Sequence, residues 1–455
     1  MNISLFCPNV GAREIISKAF QRSYGPLVEN RVYVGQSGPR AKKEAYFGIL
    51  PKEFGNFIYE SSDQDLNVDS FKIISDDRIK ILREETNHYD FTNEWNNLGY
   101  GPVLNSGPFS INLKLRSKIK CLANLVDSTG LEIPFVHIFK TIDREILWIN
   151  REAGLADGND WSLVENFFSE DFPRLLEVPY GFKCAVTMRI DCDEDIKSGR
   201  KLFELYKTLD VPFSMAIKTC LPRIEADLEL IRDVLNSRGS VVSHSHTHKP
   251  YWGGSYETAL NDAKRARKEI EVLGGNTDYV VSPFHQNPKY AVEAIREAGH
   301  IGFVAGIIHN DPEYLCGRSG AVPFVEKIFT HSQQCMLHGD CYHSTGLDIY
   351  KKSFLNHYES GTFFGFLDQP FSNYKYGWNC EEERLNAHED FLNYLMSFEK
   401  VWFASLVDTL DFLYDRYNTK IWIDINGELK WEIPQQRKSK MPLAAFWRGK
   451  EIQLS

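Results

Sequence analysis

The sequence contains nothing approaching the roughly eighteen consecutive apolar residues that a membrane-spanning helix needs. Its first residues, Met1-Asn2-Ile3-Ser4-Leu5-Phe6-Cys7, lack the basic start and long apolar core of a secretory signal, so the expectation is a cytoplasmic protein without a membrane span. Its nine cysteines include no Cys-x-x-Cys pair, and an odd number without paired spacing argues for reduced thiols and against a disulfide framework. Basic charge is scarce too: 52 Lys and Arg face 62 Asp and Glu, a net charge of -10, which excludes a phosphate-backbone footprint and nucleic acid as the main partner. The basic run Lys264-Arg265-Ala266-Arg267-Lys268 is followed by Glu269 and Glu271 in a helical pattern, and reads as a solvated face. Internal repeats and low-complexity segments are absent.

At 455 residues the chain exceeds one comfortable core, so two domains with a small third piece are expected. Residues 1–175 carry irregular β-like runs such as Arg31 to Gly35, Phe71 to Ile74 and Ile146 to Ile149, one helical stretch at Lys118 to Leu125, and two isolated histidines, His88 and His137. This is read as a mixed, β-rich domain without a catalytic constellation. From Cys184 the rhythm changes. Strand patterns at Cys184 to Ile190, Pro212 to Ile217, Ser240 to Ser243, Tyr279 to Ser282, Ile301 to Ala305, Cys335 to Leu337, Thr362 to Leu367 and Val401 to Ala404 alternate with amphipathic helices. That alternation predicts an α/β domain over residues 176–416, a parallel sheet closed into a barrel. Residues 417–455, with hairpin signals at Asp424-Ile425-Asn426-Gly427-Glu428 and at Trp447-Arg448-Gly449-Lys450, predict a small β appendage.

In such a barrel, polar residues just after a strand stand at the catalytic mouth, and Asp191, Asp193, His244, His285, His338, Asp340 and Asp368 all occupy such positions. The densest cluster is Ser243-His244-Ser245-His246-Thr247-His248, three imidazoles within five residues, a set that suits a divalent cation. His244 and His248, four apart, can aim at one point, while His246 is either a ligand in place of one of them or a group that points away. An exposed polar turn is the structural alternative. In Arg189-Ile190-Asp191-Cys192-Asp193, strand alternation puts Arg189, Asp191 and Asp193 on one face. Two carboxylates side by side repel unless a cation is near, which a metal and Arg189 would supply, leaving one aspartate on the metal and one as a base. The alternative there is an acidic turn continued by Glu194 and Asp195.

These two motifs resemble the first two of the NodB-type polysaccharide deacetylases, carbohydrate esterase family four, over roughly Lys183 to Arg416. The stretches Val281 to Pro288, His331 to Asp340 and Phe364 to Pro370 are similar, more specifically, to deacetylases of O-antigen and capsule gene clusters. The resemblance implies a distorted (β/α)7 barrel, Asp191 as general base, and Asp193, His244 and His248 as ligands of one divalent metal, zinc first, with cobalt, nickel or manganese as alternatives. The chain departs from the family twice. Where the third motif has a base-orienting arginine stands Ser282-Pro283-Phe284, so Arg189 is expected to take that role. Where the fifth has an acidic histidine stands Gln369, which leaves His285, His338 and Asp340 as candidate acids. Trp252, Gln286, Asp368, Gln369 and Trp378 join Arg189 as candidate substrate contacts, with Tyr374, Tyr376 and Trp378 a sugar-stacking wall or packing.

The expected activity is hydrolysis of an N-acetyl or N-formyl group on a sugar of a surface-polysaccharide precursor, a small-molecule or lipid-linked glycan. Two other readings stand beside it: a glycan-binding or catalytically impaired homologue, because of Gln369, and a His-x-His metallophosphoesterase or amidohydrolase, which would need ligands for a second metal.

Overall fold

The computed structural model describes residues 3–6, 32–35, 41–47, 58–61, 72–75, 113–115, 121–126, 132–150, 164–169, 171–285, 287–304, 320–321, 328–331, 335–339, 342–343, 346–369 and 377–455. Among the expected site residues, Asp340 and Gln286 lie outside this set, as do Tyr374, Tyr376 and the side chain of His285; His88 is outside it too.

The strand Cys184–Cys192, here β1, is buried at all nine positions because both of its faces are covered. β2 (Ser214–Ile217), β3 (Ser240–Ser243), β4 (Tyr279–Val281), β5 (Gly302–Val304), β6 (Gly320–Ala321), β7 (Phe329–His331), β8 (Cys335–Met336), β9 (Phe363–Asp368) and β10 (Val401–Ala404) complete its sheet. The strands run in the order β6-β7-β5-β4-β3-β2-β1-β9-β8, parallel except at β6. β9 lines one edge of β1 from Ala185 to Ile190, while β2 takes the upper half of the other edge and β10 the lower half. The result is a curled parallel sheet, a half-barrel. The closed barrel expected from the alternation is not completed among the described residues, where no pairing joins β8 to β7.

Alternation along β1 sorts its residues. Cys184, Val186, Met188, Ile190 and Cys192 pack outward with Leu202, Phe203 and Tyr206 of helix α1 (Arg200–Thr208), Leu230, Ile231 and Val234 of α2 (Glu225–Leu235), and Phe391 and Leu395 of a later helix. Each such side chain contributes roughly 1.5–3 kcal/mol by leaving water. Facing inward, Ala185 shares a second core with Ala216, Val242, Tyr279 and Val304. Arg189 and Asp191 continue that inward face toward the strand's C-terminal end.

The remaining helices are α3 (Tyr256–Val272), α4 (Lys289–Glu297), α5 (Asp348–Ser360), α6 (Glu381–Met396) and α7 (Leu406–Tyr417). Ser255 and Ser405 cap α3 and α7 by accepting the backbone N–H three residues on. The C-terminal hairpins form as expected, Lys420–Ile423 with Leu429–Glu432 and Leu443–Trp447 with Lys450–Leu454. Leu443, Ala445, Trp447 and Leu454 belong to the same core as Ala185 and Leu406, so this segment packs against the sheet.

The N-terminal sheet has the strand order Val32–Gly35, Ile3–Phe6, Lys43–Phe47, Glu145–Ile149, Glu132–Lys140, Ala123–Val126, Lys72–Ser75, parallel in its first half and antiparallel in its second. The helix expected at Lys118 to Leu125 is corrected here. Ala123–Val126 is a strand, because a neighbour on each side offers its backbone a ladder that outweighs a helical spacing of Ile119, Leu122 and Ala123.

Candidate metal centre

The site is assembled at the C-terminal ends of β1 and β3. Past β3 the backbone carries His244 to His248 through a turn in which Ser245 and His248 both have positive φ, 62° and 52°. Such conformations are unfavourable for residues with a Cβ and persist where the surroundings fix them. Here the fixing groups are visible. The Ser245 Oγ accepts the His248 N–H at 2.9 Å, and the Asp262 carboxylate, from α3, accepts the N–H groups of His246 at 2.7 Å and Thr247 at 2.9 Å. The carbonyls of Ser245 and His246 accept the N–H groups of Thr219 and Cys220 from the loop after β2.

This places three donors together. His244 Nε2 and His248 Nε2 lie 3.0 Å apart, and Asp193 Oδ1 lies 3.3 Å from the first and 3.5 Å from the second. His246 stands outside this group, with Nδ1 3.0 Å from the Thr219 hydroxyl. A tetrahedral centre with bonds of about 2.0 Å has ligand edges of about 3.3 Å, so the spacing fits one small divalent cation. Two further observations bear on the fit. His244 Nδ1 donates to the Val281 carbonyl at 3.0 Å, leaving Nε2 as the lone-pair nitrogen. Asp193 Oδ1 is buried with no hydrogen-bond partner among the described residues. Burial pushes the Asp193 carboxyl up to about 6 and the His248 imidazole down to about 4, and lowers His244 as well, so both imidazoles are neutral near pH 7 and offer lone pairs. An acceptor without a donor beside two neutral imidazoles is what a cation site contains.

Asp191 stands next to this cluster, its Oδ2 3.7 Å from His244 Nε2. Its two oxygens accept from Arg189 Nε at 2.6 Å and Nη2 at 2.9 Å, a bidentate clamp with both residues buried. Arg189 therefore faces the carboxylate expected to act as base. Its Nη1 is buried without a partner among the described residues.

Gln369 donates from Nε2 to Asp193 Oδ2 at 3.0 Å, so it touches the cluster through a ligand. Asp368 is fully buried and serves as an internal acceptor, bound by Gln369 N at 2.8 Å and His388 Nε2 at 3.1 Å. Burial alone would raise its carboxyl, but the bond from His388 and the Arg384 guanidinium hold it below the ordinary value. His338 is also fully buried and adds positive potential at Asp368.

Two expected substrate contacts are buried. Trp252 is 1% exposed, packed with Ala259, Ala263 and Val280 beneath the loop. Trp378 is 2% exposed against Tyr342, its backbone so close to Gly339 that a Cβ there would come within 2.2 Å of the Trp378 nitrogen. Among the described residues Phe284 is an exposed aromatic at the site, its ring centroid 4.6 Å from that of His248 and its φ +51°.

Sequence reasoning missed Asp262, His388, Arg384 and Lys218. The first three had a signal, a charged or polar residue inside a helix's buried stripe: Asp262 between Ala259, Ala263 and Ala266, and Arg384 and His388 among Ala387, Phe391 and Leu392. Lys218 directly follows β2, and its charge reaches both Asp193 and His248.

No family model and no curated protein matches this chain. Solved structures do. A family 4 carbohydrate esterase from Streptomyces lividans is similar at 11% identity and a TM-score of 0.34, over 51% of this chain and 95% of that one. An allantoinase is similar at 13% and 0.40, over 52% and 92%. A CE4 family pseudoenzyme from Bacillus anthracis is similar at 12% and 0.34, over 50% and 65%. With TM-scores of 0.40 or lower, none of these likenesses decides what this chain does.

Proposed function

We propose that the chain is a metal-dependent hydrolase that removes an N-acyl group, acetyl or formyl, from a sugar of a surface-polysaccharide precursor. One observation carries the reading: Asp193, His244 and His248 converge on a common point, with all ligand atoms within 4.8 Å, while Asp191 remains beside them in the grip of Arg189. That division is what hydrolysis requires, ligands on one side and an oriented base on the other. The resemblance of both motifs to NodB-type deacetylases supplies the substrate class.

A divalent ion held by Asp193, His244 and His248, zinc first, supplies Lewis acidity toward an acyl carbonyl and toward water. The protein's own groups do the rest. Arg189 fixes both Asp191 oxygens, so the carboxylate meets the attacking water in one orientation and takes its proton. The low-dielectric surroundings, with Asp191 and His244 each no more than 3% exposed, strengthen every one of these contacts. Phe284 gives the rim an apolar face, suited to the C–H surface of a pyranose. The departing amine takes its proton from His285, His338 or Asp340. The substrate is proposed to be nucleotide-linked or lipid-linked.

The contact between Gln369 and Asp193 favours one second reading, a glycan-binding protein that keeps the metal and lacks the acid. Incubation of chelator-stripped and zinc-reloaded protein with nucleotide-linked N-acetyl and N-formyl sugars separates the two. Free acetate or formate, measured by NMR, is expected from the reloaded protein alone. Release from neither substrate by protein that demonstrably holds zinc would overturn the hydrolase and leave the binding protein.

A further inference from the structure

We infer that Gln369 is a positioning residue of the metal centre, fixing which oxygen of Asp193 faces the cation, and that a buried polar chain running back to α1 and α6 holds Gln369 in place. The inference rests on the metal-centre reading given above.

The geometry starts at the ligand. Asp193 has two oxygens, and a carboxylate turning about its terminal bond can exchange them. With Gln369 Nε2 donating to Oδ2 at 3.0 Å, only Oδ1 remains for the imidazoles, 3.3 and 3.5 Å away. The opposite orientation of the carboxamide would set two acceptors, Oε1 and Oδ2, against each other, so the donor side is fixed by chemistry.

Behind Gln369 every link is buried. Its N–H donates to Asp368 Oδ1 at 2.8 Å and its carbonyl accepts from Arg384 Nη1 at 3.2 Å, so the main chain is clamped on both sides of the residue. Asp368 Oδ2 accepts from His388 Nε2 at 3.1 Å. The His388 ring is neutral, because burial lowers its pKa despite Asp368, and with Nε2 donating, its Nδ1 is the acceptor for the Tyr206 hydroxyl at 2.9 Å. Asp368, Arg384, His388 and Tyr206 are all 0% exposed, and Gln369 is 5% exposed. Register agrees: β9 pairs Asp368 with Ile190, which brings Gln369 level with the acidic end of β1.

Gln369 Oε1 supplies an independent observation, for it is buried without a partner among the described residues. Leaving a buried acceptor unsatisfied is unfavourable, and a glutamine kept only for packing or stability would have no reason to retain it. The residue is retained for its donor.

The test measures zinc affinity of the full chain by competition with a chromogenic chelator, beside the thermal midpoint of the metal-free protein. Gln369→Leu is expected to bind zinc roughly 10–100-fold more weakly, the range for loss of a group that holds a ligand, whether or not the metal-free midpoint falls. His388→Asn, which never touches the centre, is expected to weaken zinc binding in the same direction by a smaller factor. A merely structural role would move the midpoint and leave affinity alone. Affinity within about threefold of the parent in folded Gln369→Leu would overturn the inference. Should that variant not fold, Gln369→Asn, shorter by one methylene, is judged by the same threshold. A parent that binds no zinc overturns the metal centre and this inference with it, whereas a zinc-binding parent with unaffected variants overturns the inference alone.

Discussion

Two buried carboxylates, one in the N-terminal sheet and one just past the strand Cys184–Cys192, are finished differently. Glu44 in the N-terminal sheet, 1% exposed, accepts the Ala41 N–H at 3.0 Å on one oxygen, and the Tyr46 hydroxyl at 3.2 Å and Arg144 Nη1 at 3.0 Å on the other. Both oxygens are served. Asp193, 9% exposed, has a hydrogen bond from Gln369 on one oxygen and none on the other among the described residues. A buried charge is tolerated when hydrogen bonds or a counter-charge balance it. Glu44 has that balance from its own chain and Asp193 lacks half of it, so the deficit falls where the proposed metal, as a guest, would sit.

Removing the guest's ligands should have the largest effect. His244→Ala is expected to lose the metal entirely and with it all turnover, measured by metal analysis and acyl release; a variant that keeps a full equivalent of metal would move the ion away from these donors. Asp191→Asn is expected to keep the metal and lower turnover by roughly 10²–10⁴-fold, the usual range for a general base. Full activity there would take Asp191 out of the mechanism. On the finished side, Arg144→Ala strands Glu44 and should destabilise the protein by about 3–5 kcal/mol, seen in denaturant unfolding, without changing metal content. Metal loss in that variant would mean the two sheets are coupled and the contrast false.

The smallest effect is in pH. Proton and cation compete for Asp193, whose carboxyl sits at about 6 by burial, so metal affinity should be level above pH 6 and fall by roughly tenfold per unit below it. For the metal-free protein the sign reverses. A carboxyl raised in the folded state binds its proton more tightly there than when unfolded, so its stabilising contribution is full below about pH 4 and is lost as pH rises through 6. Titration calorimetry and thermal midpoints across pH 4 to 7 check both. Metal affinity that stays flat down to pH 5 would remove Asp193 from the ligand set.

Much of the curled sheet was legible because its signals are local. Ser240–Ser243 and Val401–Ala404 are bounded where the sequence puts them, and Cys184–Cys192 runs only two residues longer than expected. The convergence of Asp193, His244 and His248 was legible as well, since each follows a strand. The helix Asp348–Ser360 was missed, and the segment before Val126 was misread, because in both tertiary packing outweighs spacing. What holds the site was hidden for another reason. Gln369 meets Asp193 across 176 positions and Tyr206 meets His388 across 182, so no window along the chain contains either pair.

The left-handed backbone at Ser245, His248, Tyr251 and Trp252 makes the histidine motif unportable. As a free peptide those residues would relax to ordinary dihedrals and scatter their imidazoles. Affinity for the proposed ion would therefore belong to the folded neighbourhood, above all to a single aspartate one helix away. A search for kindred sites by the His-Ser-x-x-His string alone would retrieve many segments in which nothing enforces that shape.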